Sequence, residues 1–129
     1  MQIPPNATEV KKYFTWMGED GICRTKVKED AEISLDDAME NTVVVTSFFK
    51  DKKFPIMIDA RGIKSMSREA RSHFSAHGRD SKTNAFDIII KSPISRVVGN
   101  FFLGISKPSV PTKLFENEED AKHWLQTFI

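Results

Sequence analysis

His73 and His77 lie four residues apart, a spacing that puts two imidazoles on one ridge of a helix and could turn both toward one metal ion. A zincin-type site wants glutamate directly after the first histidine, and Phe74 stands there. A third ligand would have to come from Asp80 or His123 through the fold. The pair therefore reads as two helix-edge histidines, with His77 touching the core, and no bound metal is expected. Cys23 is the chain's one cysteine, so an internal disulfide is excluded. It sits between Ile22 and Arg24 in an alternating, strand-like run. No helix N-terminus or glycine elbow is near to activate it, and it reads as a plain strand thiol. Asp59 closes an apolar run, the place where α/β proteins build their sites. No glycine-rich phosphate loop, partnered base or second carboxylate accompanies it, so its expected task is to hydrogen-bond the following turn. Nothing assembles into a nucleophile or acid–base set. The reading is of a binding domain without cofactor, not an enzyme.

Two further groupings bear on binding. Lys64, Arg68 and Arg71 stack on one side of a helix if helical geometry reaches back to Lys64, and Arg61 lies just ahead. Cations around a helix N-terminus form an anion or partner site. Ser65 and Ser67 sit in the same turn, as a switch or, for Ser67, as the helix cap. On the preceding helix Val44 and Phe48 fall opposite the expected core face, and on the third helix Leu103 points away from its apolar arc. These three are candidates for self-association.

The elements that must position these residues are legible in outline. Lys12–Gly18 and Gly21–Lys28 flank Glu19-Asp20-Gly21 and read as a hairpin, because glycine supplies the positive φ the turn needs. Ser34 starts a helix, with Asp36 and Asp37 in its first turn and Asp37 at capping-box spacing. Leu35, Ala38, Met39, Thr42, Val45 and Phe49 are expected on its inner face. Phe54–Asp59 reads as a buried strand. A helix over about 67–77 follows, with Ala70 and Phe74 inward. Ala85–Lys91 is the next strand. Pro93 opens a third helix, with Ile94, Val97, Val98, Phe101, Phe102 and Ile105 as its apolar arc. Thr112–Phe115 is a short strand, and Asn117 caps a last helix whose Ala121, Trp124, Leu125 and Phe128 face the core. The order β-β-α-β-α-β-α-β-α implies one α/β domain. Its expected core is a mixed, mostly parallel five-stranded sheet flanked by four helices.

Composition agrees with one domain. The chain has 129 residues, 40% hydrophobic and 29% charged, too apolar for disorder. No apolar run approaches the roughly 20 residues of a membrane span. With no secretory leader and a lone cysteine, the expected setting is the cytoplasm. Charge is uneven: residues 60–115 hold 10 basic and 3 acidic side chains, against a net charge of +1 for the whole chain. That segment suits an anionic partner surface, and no nucleic-acid motif accompanies it.

Phe54-Pro55-Ile56-Met57-Ile58-Asp59-Ala60-Arg61-Gly62-Ile63, followed by Lys64-Ser65-Met66-Ser67 and a helix, resembles the central strand, loop and helix start of STAS domains. Along most of its strand–helix order the chain is similar to the STAS/SpoIIAA-like group, a fold shared with lipid-binding Sec14-type domains. Pro111–Phe115 through Trp124-Leu125 resembles a small uncharacterised bacterial branch of that group. The resemblance implies a non-enzymatic, regulatory protein-interaction module, with a protein partner or a second copy of itself in a homodimer. Sec14-type kinship implies an alternative, a carrier or sensor of a small apolar or lipid-like ligand. In regulatory STAS domains an Asp-Ser-Ser-Gly-like turn carries a phosphorylated serine. Aligned without gaps from Asp59, Ser67 falls on the aspartate and Arg68 and Glu69 on the serines. The phosphoacceptor is not carried over.

Overall fold

The computed structural model describes residues 1–49, 52–77, 83–105 and 111–129, with 74–77 and 101–105 described as backbone alone. A two-residue edge strand, β1 (Thr8–Glu9), pairs antiparallel with β2 (Tyr13–Met17). Gly21, at φ +82°, turns the chain into β3 (Cys23–Val27), and the hairpin sets Thr15 opposite Thr25. A short β4 (Ala31–Ile33) leads into α1 (Leu35–Phe48). Then follow β5 (Phe54–Asp59), β6 (Ile63–Met66), α2 (Arg68–His77), β7 (Thr83–Ile89), α3 (Pro93–Ile105), β8 (Thr112–Phe115) and α4 (Glu118–Gln126).

The main sheet runs β1-β2-β3-β5-β7-β8, antiparallel at the β1–β3 end and parallel from β3 onward, while β4 and β6 form a separate parallel pair. Among the described residues, six strands plus two correct the expected five. The additions are two to four residues long, too short to show a period in sequence. Each is held by a partner element: β1 by β2, and β4 and β6 by one another across some thirty residues.

Caps place the helix starts. Ser34 Oγ accepts from the Asp37 amide while the Asp37 carboxylate accepts from the Ser34 amide, a complete capping box. Ser67 Oγ accepts from the Ala70 amide at 3.1 Å, and Asn117 Oδ1 from Asp120 at 2.9 Å. Asp36 and Asp37 in α1, and Glu118, Glu119 and Asp120 in α4, add charge where the helix dipole favours it.

The sheet buries both faces. One core joins Tyr13, Val27, Ile88 and Ile90 to Ala38 of α1, Ala70 of α2 and Val98 of α3. The other joins Ile22, Met57, Ala85 and Ile89 to Ala121 and Leu125 of α4, with Phe115, Trp124 and Phe128 packed against it. Three helices thus cover one face and α4 the other.

Two of the three are rotated from the expected faces. In α1 the buried residues are Asp37, Ala38 and Asn41, with Val44, Val45 and Phe48 half-buried. Leu35, Met39 and Val43 stand 38%, 48% and 68% exposed. In α3 Ser95, Val98 and Gly99 are buried, while Ile94 and Val97 are 46% and 64% exposed. The physical cause is close approach. A Cβ at Gly99 would lie 2.9 Å from Leu114 Cδ2 and 3.2 Å from Ile90 Cγ2, so at that point α3 packs on these two side chains through a residue without one of its own. In α1, Asn41 Nδ2 donates to Thr15 Oγ1 at 3.3 Å, and Thr15 and Thr25 hydroxyls share a bond at 3.2 Å. Buried polar groups need such partners, and this chain turns the Asn41 side of α1 inward.

Gly99→Val tests the close approach. It should destabilise by about 1–3 kcal/mol, as overpacking does, although valine is the better helix former. Denaturant titration of both proteins reads the difference, and an unchanged midpoint would refute the tight contact.

Candidate functional site

At the start of α2, the structure separates the expected cluster. Arg61 does not join the others. Its Nε and Nη2 donate to Asp59 Oδ1 and Oδ2 at 2.9 and 2.8 Å, and its amide donates to Asp59 Oδ1 at 3.1 Å. Asp59 belongs with Met57 and Ile89 on the α4 face, and Glu118 of α4 acts on Arg61. Burial alone would raise the Asp59 pKa, but the bonds from Arg61 outweigh it and hold the carboxyl below its ordinary range. Asp59 is thus the turn-tying carboxylate its position suggested. Lys64 lies in β6, not on the α2 helix, so it cannot stack with Arg68 and Arg71 as helix neighbours. Lys64 and Arg68 are exposed and Arg71 is half-buried with interactions of its own. Glu32, which pairs with Ser65 of β6, and Glu69 in the first turn of α2 are exposed in the same region, which dilutes the basic strip.

Ser67 is fully engaged in structure. Besides capping Ala70, its amide donates to Ile33 O at 2.9 Å and its carbonyl accepts from Arg71 at 3.0 Å. Ser65 is exposed beside Glu32 in the β4–β6 pair.

The remaining sequence candidates disperse. His73 Nε2 and Thr42 Oγ1 share a 2.8 Å hydrogen bond that ties α2 to α1. His123 is on the other side of the sheet, paired with Glu119 at 3.0 Å. The His77 side chain and Asp80 lie outside the described residues. Among the described residues no three metal-ligating side chains converge. Cys23 is fully buried in β3, and burial pushes its thiol up to about 12, far from a reactive thiolate. Val44 and Phe48 are half-buried on the inner half of α1, which corrects their assignment to the outer face. The Leu103 side chain lies outside the described residues.

Two features escaped the sequence reading. The first is the exposed apolar set, Leu35, Met39 and Val43 with Ile94 and Val97. The second is Asp87. It sits in mid-strand on the α4 face, in register with Met57 on one side and Lys113 on the other. The residue is fully buried, and neither carboxyl oxygen has a hydrogen-bond partner among the described residues. Burial pushes its pKa up to about 8, against the pull of Arg24. That guanidinium is committed elsewhere, to Asp20 at 2.8 and 2.7 Å. The signal was there: an acid amid Ala85-Phe86-Asp87-Ile88-Ile89-Ile90, a strand apolar on both faces.

A family model described as a domain of unknown function, DUF7793, matches residues 15–129. The chain belongs to that family. No protein of curated function matches it. Among solved structures it is similar to an uncharacterised DUF3478-family protein with a SpoIIAA-like fold from Shewanella loihica PV-4. Identity is 17%, over 88% of this chain and 91% of that one, with a TM-score of 0.64. A protein of unknown function from Arthrobacter sp. FB24 is 31% identical over 86% of this chain and 90% of that one, with a TM-score of 0.34. The DUF7793 chain thus has a SpoIIAA-like fold, as the Phe54–Ile63 segment suggested. No helix among its described residues is long and apolar enough to cross a membrane.

Two measurements check this description. Ser67→Ala should lower stability by about 0.5–2 kcal/mol and Ser67→Asp should be nearly neutral, since aspartate also caps. A larger loss for Asp than for Ala in thermal unfolding would contradict the capping role. For Asp87, a folded-state pKa above the ordinary 3.8 means the folded protein holds a proton that the unfolded chain has released. Its contribution is intact below about pH 4, declines as pH rises, and is fully lost above about 8. Asp87→Asn should therefore gain on wild type between pH 4 and 8 by on the order of 2–4 kcal/mol. Urea unfolding curves with the same pH dependence in both proteins would rule this out.

Proposed function

We propose that this domain is a protein-interaction module that works through the outer surface of α1 and α3 and not through chemistry in its interior. The observation that carries this reading is the inverted helix: α1 buries Asp37 and Asn41 and exposes Leu35, Met39 and Val43. Isolated exposed apolar side chains are ordinary, but a continuous i, i+4, i+8 stripe costs solvation and marks a surface that another molecule covers. Ile94 and Val97 repeat the pattern on α3. Lys64 and Arg68, exposed near the start of α2, would extend this surface toward the strand-to-helix turn that regulatory STAS domains use. A carrier of a small apolar ligand would turn such side chains toward a cavity; here the five face outward, which favours a macromolecular partner.

Photo-crosslinking in the intact cell tests this. p-Benzoylphenylalanine replaces Val43 or Val97 in separate proteins, with Gln126, exposed on α4, as the control. Discrete protein adducts at 43 and 97 and none at 126 are the expected result. No adduct at 43 and 97, or the same adducts at all three, would overturn the reading.

A further inference from the structure

The outer face of the three-helix layer has a charge order that suits one occupant. α1 lies on the β2 side and α3 on the β8 side; α2, packed on α1, links the parallel neighbours β5 and β7, and right-handed crossovers on one face put it between the other two. On α1, Thr42 meets His73 of α2 on one flank. The opposite flank carries Glu40, which accepts from the Lys11 amide beside β2. Asp36, one turn earlier, falls on that same outer flank. Both acids are exposed. The α3 edge has the other sign. Arg96 lies on the β8 flank, paired at 2.9 Å with Glu116 just past that strand, both side chains more than half exposed. Lys91 is exposed immediately before the helix. From one edge to the other the face reads acid, apolar stripe of Leu35, Met39 and Val43, polar α2 with Arg68, Glu69 and Ser72, apolar pair of Ile94 and Val97, and base.

That order is symmetric in hydrophobicity and antisymmetric in charge. A two-fold axis parallel to the helices, running along α2, exchanges the two edges. It lays the apolar stripe of α1 on Ile94 and Val97 of the partner, and sets Asp36 and Glu40 against the partner's Arg96 and Lys91. The same contact then repeats on the far side, as an isologous interface requires. A two-fold perpendicular to the helices would instead set acid on acid, which complementarity disfavours. We infer that the surface proposed above is covered by a second copy of this chain, with α1 of each protomer packed on α3 of the other. This rests on the interaction reading and specifies its partner.

Sedimentation equilibrium on two charge-reversed proteins tests it. One carries Asp36→Lys and Glu40→Lys, the other Lys91→Glu and Arg96→Glu. All four positions are exposed, and thermal unfolding of each variant verifies that it is folded. Wild type should sediment at twice the chain mass and each variant at the single-chain mass. An equimolar mixture of the two should return to twice the mass, because both contacts of a mixed pair are again opposite in sign. As a second measure, Val43→Cys mixed with Val97→Cys should form a disulfide between unlike chains under mild oxidation, while neither alone does; Cys23 is buried. Wild type remaining at single-chain mass at every concentration would overturn the inference, as would a dimer untouched by both charge reversals or a mixture that fails to pair. If wild type is monomeric yet position 43 or 97 captures a different protein, self-pairing falls and the interaction reading stands.

Discussion

Helices α1, α2 and α3 lie against the sheet through Ala38, Ala70 and Gly99, all buried, and the rest of the surface follows from that closeness. At position 99 of α3 there is no room for a leucine or phenylalanine, because a Cβ alone would already crowd Leu114 and Ile90. The large apolar residues of α1 and α3 then have two destinations, the flanks beside the contact or the outside. Val98 finds a flank; Leu35, Met39, Val43, Ile94 and Val97 do not. Close packing of small residues and an apolar exterior are two aspects of one arrangement.

A buried polar seam reinforces the rotation of α1. Asn41, Thr15 and Thr25 are linked by hydrogen bonds beneath the helix, and Asp37 is buried at its first turn while serving Ser34. Tyr13 lies close by, its hydroxyl without a partner among the described residues; burial, and then the charge of Asp37, push its pKa up. Rotating α1 to hide Leu35 and Met39 would expose part of that seam and strand the rest, a cost comparable to the gain in apolar burial.

The α4 side follows a different logic. Its core is apolar and well filled by Met57, Ile89, Leu125 and Ala121, with ionisable groups enclosed at its margins. Arg24 holds Asp20 in the hairpin turn and Arg61 holds Asp59 at the end of β5, while Glu118 acts on both guanidiniums from the first turn of α4. Among the described residues Asp87 alone of these acids has no bond, and burial governs its protonation. The two faces divide the labour: one seals a charged margin beneath a single helix, the other presents three helices outward.

Local chemistry settled much of this architecture in advance. Asp20-Gly21 specified the hairpin, Ser34 with Asp37, Ser67 and Asn117 specified helix starts, and the apolar runs at Phe54–Asp59 and Ile88–Ile90 specified central strands, because each signal acts between residues a few positions apart. The resemblance at Phe54–Ile63 pointed to the SpoIIAA-like fold for the same reason: it depends on order and length. Ala70 of α2 and Ala121 and Leu125 of α4 face the core as their spacing indicates, but tertiary structure decided which side of α1 and α3 faces in. Apolar periodicity in α1 and α3 nominates Leu35, Met39, Ile94 and Val97 for the core together with Ala38 and Val98, but only Ala38 and Val98 are buried there, beside Asn41 and Gly99, which periodicity passes over; the space available at the sheet, not hydrophobicity alone, selects the residue that fits. It also decided that Arg61 leaves Lys64 and Arg68: the chain passes through β6, where side chains alternate between faces, before helical spacing begins at Arg68.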